Sequence, residues 1–464
     1  MREDDADDLL VAMEEEISKR RLEGFVCRLE IEQSMPPELR EGLMQELKVA
    51  EEDIYELSGV LNLKDLFFFL SMPLPELKDQ PWNAIVNARL MGVDHGEESF
   101  FWAIRKGDIL LHHPYESFAS SVQTFIAHAA RDPHVLTIKI TLYRTSGDSP
   151  IVQSLIAAAE NGKQVVALVE IKARFDEQNN IIWARKLEDA GVHVVYGVVG
   201  LKTHTKTTLV VRQEGDRLRR YVHIGTGNYN PKTSKLYTDL GILSCRDELG
   251  ADLTDLFNFL TGYSRQANYR KLLVAPLTLR KRMLQLIDRE IEHVGQGQQG
   301  RIIAKMNSLV DAEMIQALYR ASQAGVQIDL IIRGICCLRP GVPGVSDNIR
   351  VLSIIGRFLE HARIFYFTND GAEEIYMGSA DWMPRNLDRR VEAITPVEEP
   401  TAVQELKDII DIMLTDNRHA WELDANGVFT QRTPGADGDS RSTHDLLMAR
   451  AVKRDQSGTI DSLS

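Results

Sequence analysis

One pattern occurs twice along this chain, and that repetition limits the folds open to it. The stretch "LIAAAENGKQVVALVEIKARF" at 155–175 aligns with "LYRASQAGVQIDLIIRGICCL" at 318–338. Each reads as a small-residue helix, a glycine turn and an apolar strand, followed by a cation, Arg174 in one and Arg333 in the other. Farther on, "KTHTK" followed by "GTGN" is echoed by "LEHAR" followed by "GSAD", with His204 and Gly225 separated by 21 residues and His361 and Gly378 by 17. Four matched features in matched order imply a duplicated α/β unit with one histidine motif per copy. Such a duplication brings the two motifs face to face across a pseudo-twofold axis.

The surrounding texture agrees. Beyond about residue 95, apolar strands such as "HVLTIKITLYR" and "QVVALVEIKARF" alternate with helical stretches such as "PIVQSLIAAAENGK". This alternation argues for α/β domains with mixed sheets. Four segments are expected: a partial helical domain over 1–92, a first catalytic α/β domain over 93–272, a second over 273–425, and a disordered tail over 426–464. In the first segment, Leu9, Leu10, Met13 and Ile17, then Leu43, Leu47 and Ile54, recur at helical spacing, and Pro36 and Pro37 can open the second stretch. That segment begins without an obvious cap, as expected of a piece of a longer protein. Val403, Leu406, Ile409, Ile410 and Met413 line one face of a closing helix. After about Gln431 the composition turns to Gly, Ser, Asp and Arg, and only a turn at "DLLMARAV" is expected to interrupt the disorder.

A formal net charge of −14 makes the molecule as a whole repel nucleic acid and anionic membranes, so any polyanion must be met by a local cationic patch. The four cysteines, Cys27, Cys245, Cys336 and Cys337, lack metal-ligand spacing, which fits a reducing cytoplasm. The start "MREDDADDLL" is unlike a secretory signal, and the longest greasy run, near Leu66 to Leu70, is too short to cross a bilayer. Peripheral attachment to the inner face of a membrane stays open.

The cationic patch has a candidate in "KTHTK". On a strand, Lys202, His204 and Lys206 project on one side, a histidine between two ammonium groups. Flanking cations favour the neutral imidazole, the form that attacks phosphorus, and they attract phosphate. Downstream, Arg217, Arg219 and Arg220 read as a solvated hairpin. "YVHIGTGNYN" reads as a strand reaching His223 and then a glycine-rich turn, whose amides and Asn228 can hold an anion or orient a neighbouring ring.

A histidine two residues before a cation, followed by a glycine and asparagine turn and occurring twice, is similar to the phospholipase D superfamily. That superfamily carries an aspartate five residues after the cation, where this chain has Val211 and Thr368. A closer resemblance is to the bacterial polyphosphate kinases that use a phosphohistidine. It rests on "LHHPYESF", "TLYRTSGDSPIV", "ARFDEQNNI", "GLKTHTK", "HIGTGNYN", "LYTDLG", "RFLEHARI" and "SADWMPRN", in order across roughly residues 100 to 390. In that family two phospholipase-D-like domains follow a helical domain and an N-terminal domain.

The resemblance implies that His204 is phosphorylated, that His361 assists transfer as acid or base and touches the nucleotide phosphates, and that His223 is a further catalytic histidine. It places Tyr237 on the adenine and Arg333 on nucleotide phosphate. Lys206 and Asn228 join the groups that bind ATP and polyphosphate. Arg144, Arg174 and Asp239 fall around a Mg²⁺–phosphate cluster, with Asp239 the direct ligand and the arginines on the same phosphate oxygens. The implied function is reversible transfer of the ATP γ-phosphate to inorganic polyphosphate, with Mg²⁺ as cofactor and ATP, ADP and polyphosphate, not nucleic acid, as partners. A homo-oligomer in the cytoplasm or peripheral to its membrane is implied as well. Two other readings stand beside it: a phospholipase-D-like phosphodiesterase, and a polyphosphate-binding fragment without catalysis.

Overall fold

The computed structural model describes residues 25–91, 100–143, 149–170, 177–198, 200–262, 268–435 and 438–461. It divides into two units, Met1–Trp82 and Asn83–Ser464. In the first unit, strand β1 (Leu29–Glu32) leads through helix α1 (Pro37–Leu47) to strand β2 (Ile54–Leu57), and the two strands pair in parallel. Pro37 opens α1 as its spacing from Pro36 predicts, and Lys48 ends it in the left-handed region at φ 54°. The expectation of a helical domain is corrected here. Ile54 lies on β2 rather than on a helix with Leu43 and Leu47, so the described part is a β–α–β unit. The stretch expected to be helical around Leu9 to Ile17 lies outside the described residues. Leu66 to Leu70 fall in a 3₁₀ stretch, and no described helix is long and apolar enough to cross a membrane.

The second unit contains the duplication. Its first half runs through α2 (Phe100–Arg105), β3 (Ile109–His113), α3 (Thr124–Arg131), β4 (Val135–Leu142), α4 (Pro150–Glu160), β5 (Gln164–Val169), α5 (Glu177–Asp189), β6 (His193–Val195), β7 (Lys202–Thr203), β8 (Thr207–Glu214), β9 (Arg217–Gly225), β10 (Tyr237–Ser244) and α6 (Asp247–Leu260). The second half runs through β11 (Leu273–Ala275), α7 (Leu279–Gly295), β12 (Arg301–Met306), α8 (Ala312–Ala324), β13 (Gln327–Ile332), β14 (Ile349–Ile354), β15 (Leu359–Glu360), β16 (Ile364–Phe367), β17 (Glu374–Gly378), α9 (Pro384–Asp388), β18 (Arg390–Val397) and α10 (Pro400–Leu414). Strands β19 (Ala420–Leu423) and β20 (Phe429–Gln431) and helix α11 (Thr443–Asp461) follow.

The two sheets have one topology. The first is ordered β3-β10-β9-β8-β4-β5-β6 and the second β11-β18-β17-β16-β12-β13-β14, the second continuing into β19 and β20. In each, three strands are parallel, joined through helices except between β13 and β14, and the other four are antiparallel. The sequence dictates this locally. In β5 every residue after Gln164 is buried, the continuous apolar run of a strand covered on both faces. In α4, Ile151, Val152, Leu155 and Ala158 form the buried stripe that packs on it. Each half closes its own core, one around Phe125, Ile140, Val169 and Tyr221, the other around Met283, Leu318, Phe365 and Trp382.

Two short strands cross between the halves. β7, from the first half, pairs in parallel with β18, matching Lys202 to Arg390 and Thr203 to Val391. β15, from the second half, pairs in parallel with β10, matching Leu359 to Tyr237 and Glu360 to Thr238. The register is therefore the same in both directions, and each histidine follows its crossing strand directly. Arg217 and Arg219 lie on the β8–β9 hairpin, where Arg219 pairs with Glu214, as a solvated hairpin predicts.

The disordered tail is also corrected. Residues 443–461 form α11, with Thr443, His444, Leu447 and Ala451 buried and Arg450 and Arg454 paired to Asp408 and Glu405 on α10. A polar composition concealed a short apolar stripe that suffices once α10 supplies the opposing face.

At Gly378 an added Cβ would fall 2.2 Å from the carbonyl oxygen of Ala393 and 2.6 Å from the Ile394 Cα, both main-chain atoms that cannot swing aside. Gly378→Ala is expected to lower stability by about 1–3 kcal/mol through forced separation of β17 and β18. An unchanged urea midpoint would refute this packing.

Candidate active site

The crossing strands set the geometry. His204 leaves β7 with its main-chain N–H on the carbonyl of Val391, 2.9 Å away, and its ring Nδ1 reaches Glu392 at 2.8–2.9 Å. His361 leaves β15 with its N–H on the hydroxyl of Thr238 at 3.2 Å, and its ring Nδ1 reaches Asp239 at 2.7 Å. Each histidine is thus oriented by a carboxylate from the opposite half. The cations repeat too: Lys206 donates to the carbonyl of His204, and Arg363 to the carbonyl of His361 at 2.8 Å. In both halves the glycine turn is fastened by a hydroxyl accepting a main-chain N–H, Thr226 from Leu240 at 2.9 Å and Ser379 from Ala393 at 3.1 Å.

Burial controls the charges. His204 is held well below the ordinary imidazole range, first by burial and then by Lys206, Arg390, Arg363 and His361. Its ring is therefore neutral, Nδ1–H donates to Glu392, and Nε2 has no hydrogen-bond partner among the described residues. Burial also pulls Lys206 down to about 7 and pushes Glu392 up to about 7. Asp239 behaves differently. Burial raises it, but His361, Thr226 and Arg363 outweigh burial and hold it below the usual carboxylate range. His361 is lowered by burial despite Asp239. Arg363 forms a two-pronged pair with Asp381, both contacts at 3.1 Å, and Asp381 also accepts the main-chain N–H of Asn307 at 2.8 Å.

The structure brings together most residues singled out from the sequence. His204, Lys206, His361 and Asp239 share this cluster. Lys202 and Lys206 both lie over the Tyr143 ring, at 5.2 and 4.9 Å, and His204 meets it edge-on at 5.0 Å, so the three side chains gather on one side as strand alternation predicts. The Tyr237 ring lies 5.3 Å from that of His361. Arg333 is half-buried, and the charge on Arg363 is felt there. The Asn228 Oδ1 is buried without a partner among the described residues, at the position that Asp381 occupies in the other half.

His223 is not brought in. Its ring packs against Gly225 and against Gly241 of β10, where a Cβ would come within 2.9 and 2.5 Å, and its Nδ1 bonds to the Tyr229 hydroxyl at 2.8 Å. Burial, with a smaller contribution from His113, lowers its pKa to about 3, which leaves the ring neutral. Arg144 and Arg174 lie outside the described residues. Register further shows that Arg333 corresponds to Glu170, the residue just past the parallel strand, and not to Arg174. Glu170 accepts the main-chain N–H of Thr203 at 2.8 Å, a structural role.

Among the described residues no group of three or more histidine, cysteine or carboxylate side chains could enclose a metal. One ionised carboxylate is nevertheless the ligand set expected for Mg²⁺ shared with phosphates. Asp239 fits that need: its Oδ1 is engaged by His361 and by Thr226 at 2.6 Å, while its Oδ2 lies against Gly227, where a Cβ would come within 2.3 Å.

Comparison with known proteins gives this geometry a family. Residues 1–69, 99–266 and 272–443 match the families described as Polyphosphate kinase middle domain, Polyphosphate kinase C-terminal domain 1 and Polyphosphate kinase C-terminal domain 2. The chain belongs to the polyphosphate kinase family. It is 64% identical to a polyphosphate kinase of Synechocystis sp., over 97% of this chain and 64% of that protein. With one of Streptomyces coelicolor it shares 52% identity, over 98% of this chain and 61% of that protein. The crystal structure of polyphosphate kinase from Porphyromonas gingivalis superposes with a TM-score of 0.84 at 34% identity, covering 93% of this chain and 65% of that one. A phosphatidylserine synthase of Haemophilus influenzae shares the fold, with a TM-score of 0.50 at 11% identity over 76% of this chain and 94% of that one. The chain spans slightly less than two thirds of the length of these polyphosphate kinases.

Sequence reasoning missed Glu392, and a signal for it was present. Glu392 lies fourteen residues after Gly378, as Asp239 lies fourteen after Gly225. Asp381, Tyr143, Lys305 and Glu360 were also passed over. In an NMR pH titration the His204 ring is expected to stay neutral at pH 5.5, where an unperturbed imidazole would be about nine-tenths protonated. A midpoint near the unperturbed value would show that this ring is not desolvated as described.

Proposed function

We propose that this chain carries the catalytic centre of an ATP:polyphosphate phosphotransferase that works through a phosphohistidine. The observation that carries this reading is the His204 ring, neutral and oriented through Nδ1 by Glu392, with Lys206, Arg390 and Arg363 around it and no hydrogen-bond partner for Nε2 among the described residues. Nε2 attacks the γ-phosphorus of ATP; a P–N bond forms, the P–O bond to ADP breaks, and ADP leaves. As the bond forms, the Nδ1 proton moves to the ionised form of Glu392, a carboxylate made more basic by burial, which pushes it up to about 7. A terminal oxygen of polyphosphate then attacks phosphorus, the P–N bond breaks and the proton returns to Nδ1. A phosphoramidate retains a transfer potential close to that of a phosphoanhydride, which makes both directions accessible.

The other residues support the same step. His361 acts as acid or base at the bridging oxygen. Tyr237 packs on the adenine, while Lys206, Asn228, Arg333, Arg144 and Arg174 hold phosphate oxygens. A divalent ion, Mg²⁺ on this reading, would be held by Asp239 and by the substrate phosphates and would neutralise charge on them. A cytoplasmic homo-oligomer, peripheral to the membrane, is the assembly the family resemblance suggests.

Incubation with γ-labelled ATP is expected to give an acid-labile, alkali-stable label at His204, and none in His204→Ala. Glu392→Gln keeps an acceptor for Nδ1–H but cannot take its proton, and should slow labelling on the order of 100-fold. Arg333→Ala should lose about 3 kcal/mol of transition-state stabilisation with the fold intact. A folded chain that binds polyphosphate yet never labels would be a binding module instead.

A further inference from the structure

The two halves agree in main-chain register around their histidines, but the side chains beneath them differ. Under His204 the crossing strands present Thr203 and Val391, and the Thr141 hydroxyl donates to the carbonyl of Thr205 at 2.8 Å. Under His361 the same three places hold Glu360, Thr238 and Lys305, with the Lys305 ammonium donating to the carbonyl of Ala362 at 2.9 Å. An uncharged trio in one half is therefore a buried ionic trio in the other. Glu360 Oε2 accepts from Lys305 at 2.9 Å and from the Thr238 hydroxyl at 2.9 Å, and that hydroxyl in turn accepts the main-chain N–H of His361.

The second oxygen of Glu360 is taken by a residue from far along the chain. His444, in the first turn of α11, places Nε2 2.8 Å from Glu360 Oε1, while its Nδ1 receives the main-chain N–H of Phe358 at 3.4 Å. That pairing makes Nε2 the donor to the carboxylate. The ring is fitted closely: a Cβ at Gly356 would come within 2.7 Å of it, and the Phe358 ring lies 5.4 Å away. The start of α11 is itself fixed, because Asp416 accepts the Thr443 N–H at 2.6 Å. The general chemistry is that a histidine used in catalysis depends on outer groups for its orientation, even through two bonds.

We propose that His444 is a positioning residue for His361, acting through Glu360 and Thr238, so that the C-terminal helix forms part of the machinery of only one of the two histidines. The proposal rests on the transferase reading for its kinetic consequence, but not for its structural one. With His444 absent, Glu360 is left with an unfilled buried oxygen and can turn away from Thr238. The loop that presents His361 then loses the anchor of its main-chain N–H.

The test uses the full chain, His444→Ala, and His444→Gln, whose amide can still donate to Glu360. In histidine-labelled NMR spectra, with the His361 signals assigned through His361→Asn, the His361 ring resonance should shift or broaden in His444→Ala and keep its parental position in His444→Gln. Labelling from γ-labelled ATP should fall at least tenfold in His444→Ala, with KM for ATP within threefold, and stay within threefold of parent in His444→Gln. A His361 resonance unchanged in His444→Ala overturns the proposal. So does equal loss in both variants together with a lowered melting midpoint, which marks a structural role alone. Should the parent chain give no label, the transferase reading fails and the NMR comparison decides the positioning role by the same criterion.

Discussion

The crossed pairs His204–Glu392 and His361–Asp239 are the constraint from which the rest of the second unit takes its form. Each couples a titratable ring on one half to a carboxylate on the other, with both members removed from water. A buried ionised group without a partner costs several kcal/mol, and breaking a buried pair typically costs about 3–5 kcal/mol. Neither half can therefore satisfy its own histidine motif. Strands β7 and β15 exist at the length of two residues each because that is enough to hand one motif across and fix its register. The glycine turns follow from the same demand, since Asp239 reaches His361 only by passing against Gly227, where no side chain fits.

A symmetric backbone here carries an asymmetric charge distribution. Asp239 is held ionised by its neighbours, whereas burial keeps Glu392 close to neutrality. Arg363 forms a two-pronged pair with Asp381, while the equivalent Lys206 donates to the His204 carbonyl and lies over the Tyr143 ring. These differences separate the roles that one duplicated motif can perform. A ring beside a firmly ionised carboxylate is stabilised when it carries charge itself, whereas a carboxylate made more basic by burial is the better acceptor for the proton of the ring beside it. Duplication supplied the geometry, and divergence at a few buried positions made two chemically distinct histidines.

How much of this was legible in the sequence depended on what each signal measures. The α/β repeat was visible because helix and strand periods are carried by many residues, and strand order in the two sheets repeats as that alignment implies. His204 and His361 stood out because their motifs recur at similar spacing, and Asp239 through the family resemblance of "LYTDLG". Glu392 did not, since "RRVEAI" has the look of a surface strand and an Asp-to-Glu exchange disguises the echo of "LYTDLG". Arg174 and Arg333 were paired by eye at strand ends, yet strand register equates Arg333 with Glu170. The tail was misjudged for a different reason. Disorder inferred from composition averages over a window, whereas α11 depends on Leu447, Ala451 and His444, three side chains whose partners are distant in sequence.

The acidity of the whole molecule and the basicity of its centre belong to one argument. A net charge of −14 disfavours loose attachment of polyanions to the surface, so an anion gains most where cations are concentrated, as Lys206, Arg363 and Arg390 are around His204. Within that place the cations oppose one another. The charge on Arg363 acts against Lys206 and Arg333, and Arg390 lies 3.8 Å from Glu392, which burial pushes toward its neutral form. A phosphoryl group with charge spread over its equatorial oxygens relieves this repulsion, and relieves it most where the charge is greatest. Cations that repel one another in this way favour an anionic group over a neutral one of the same shape.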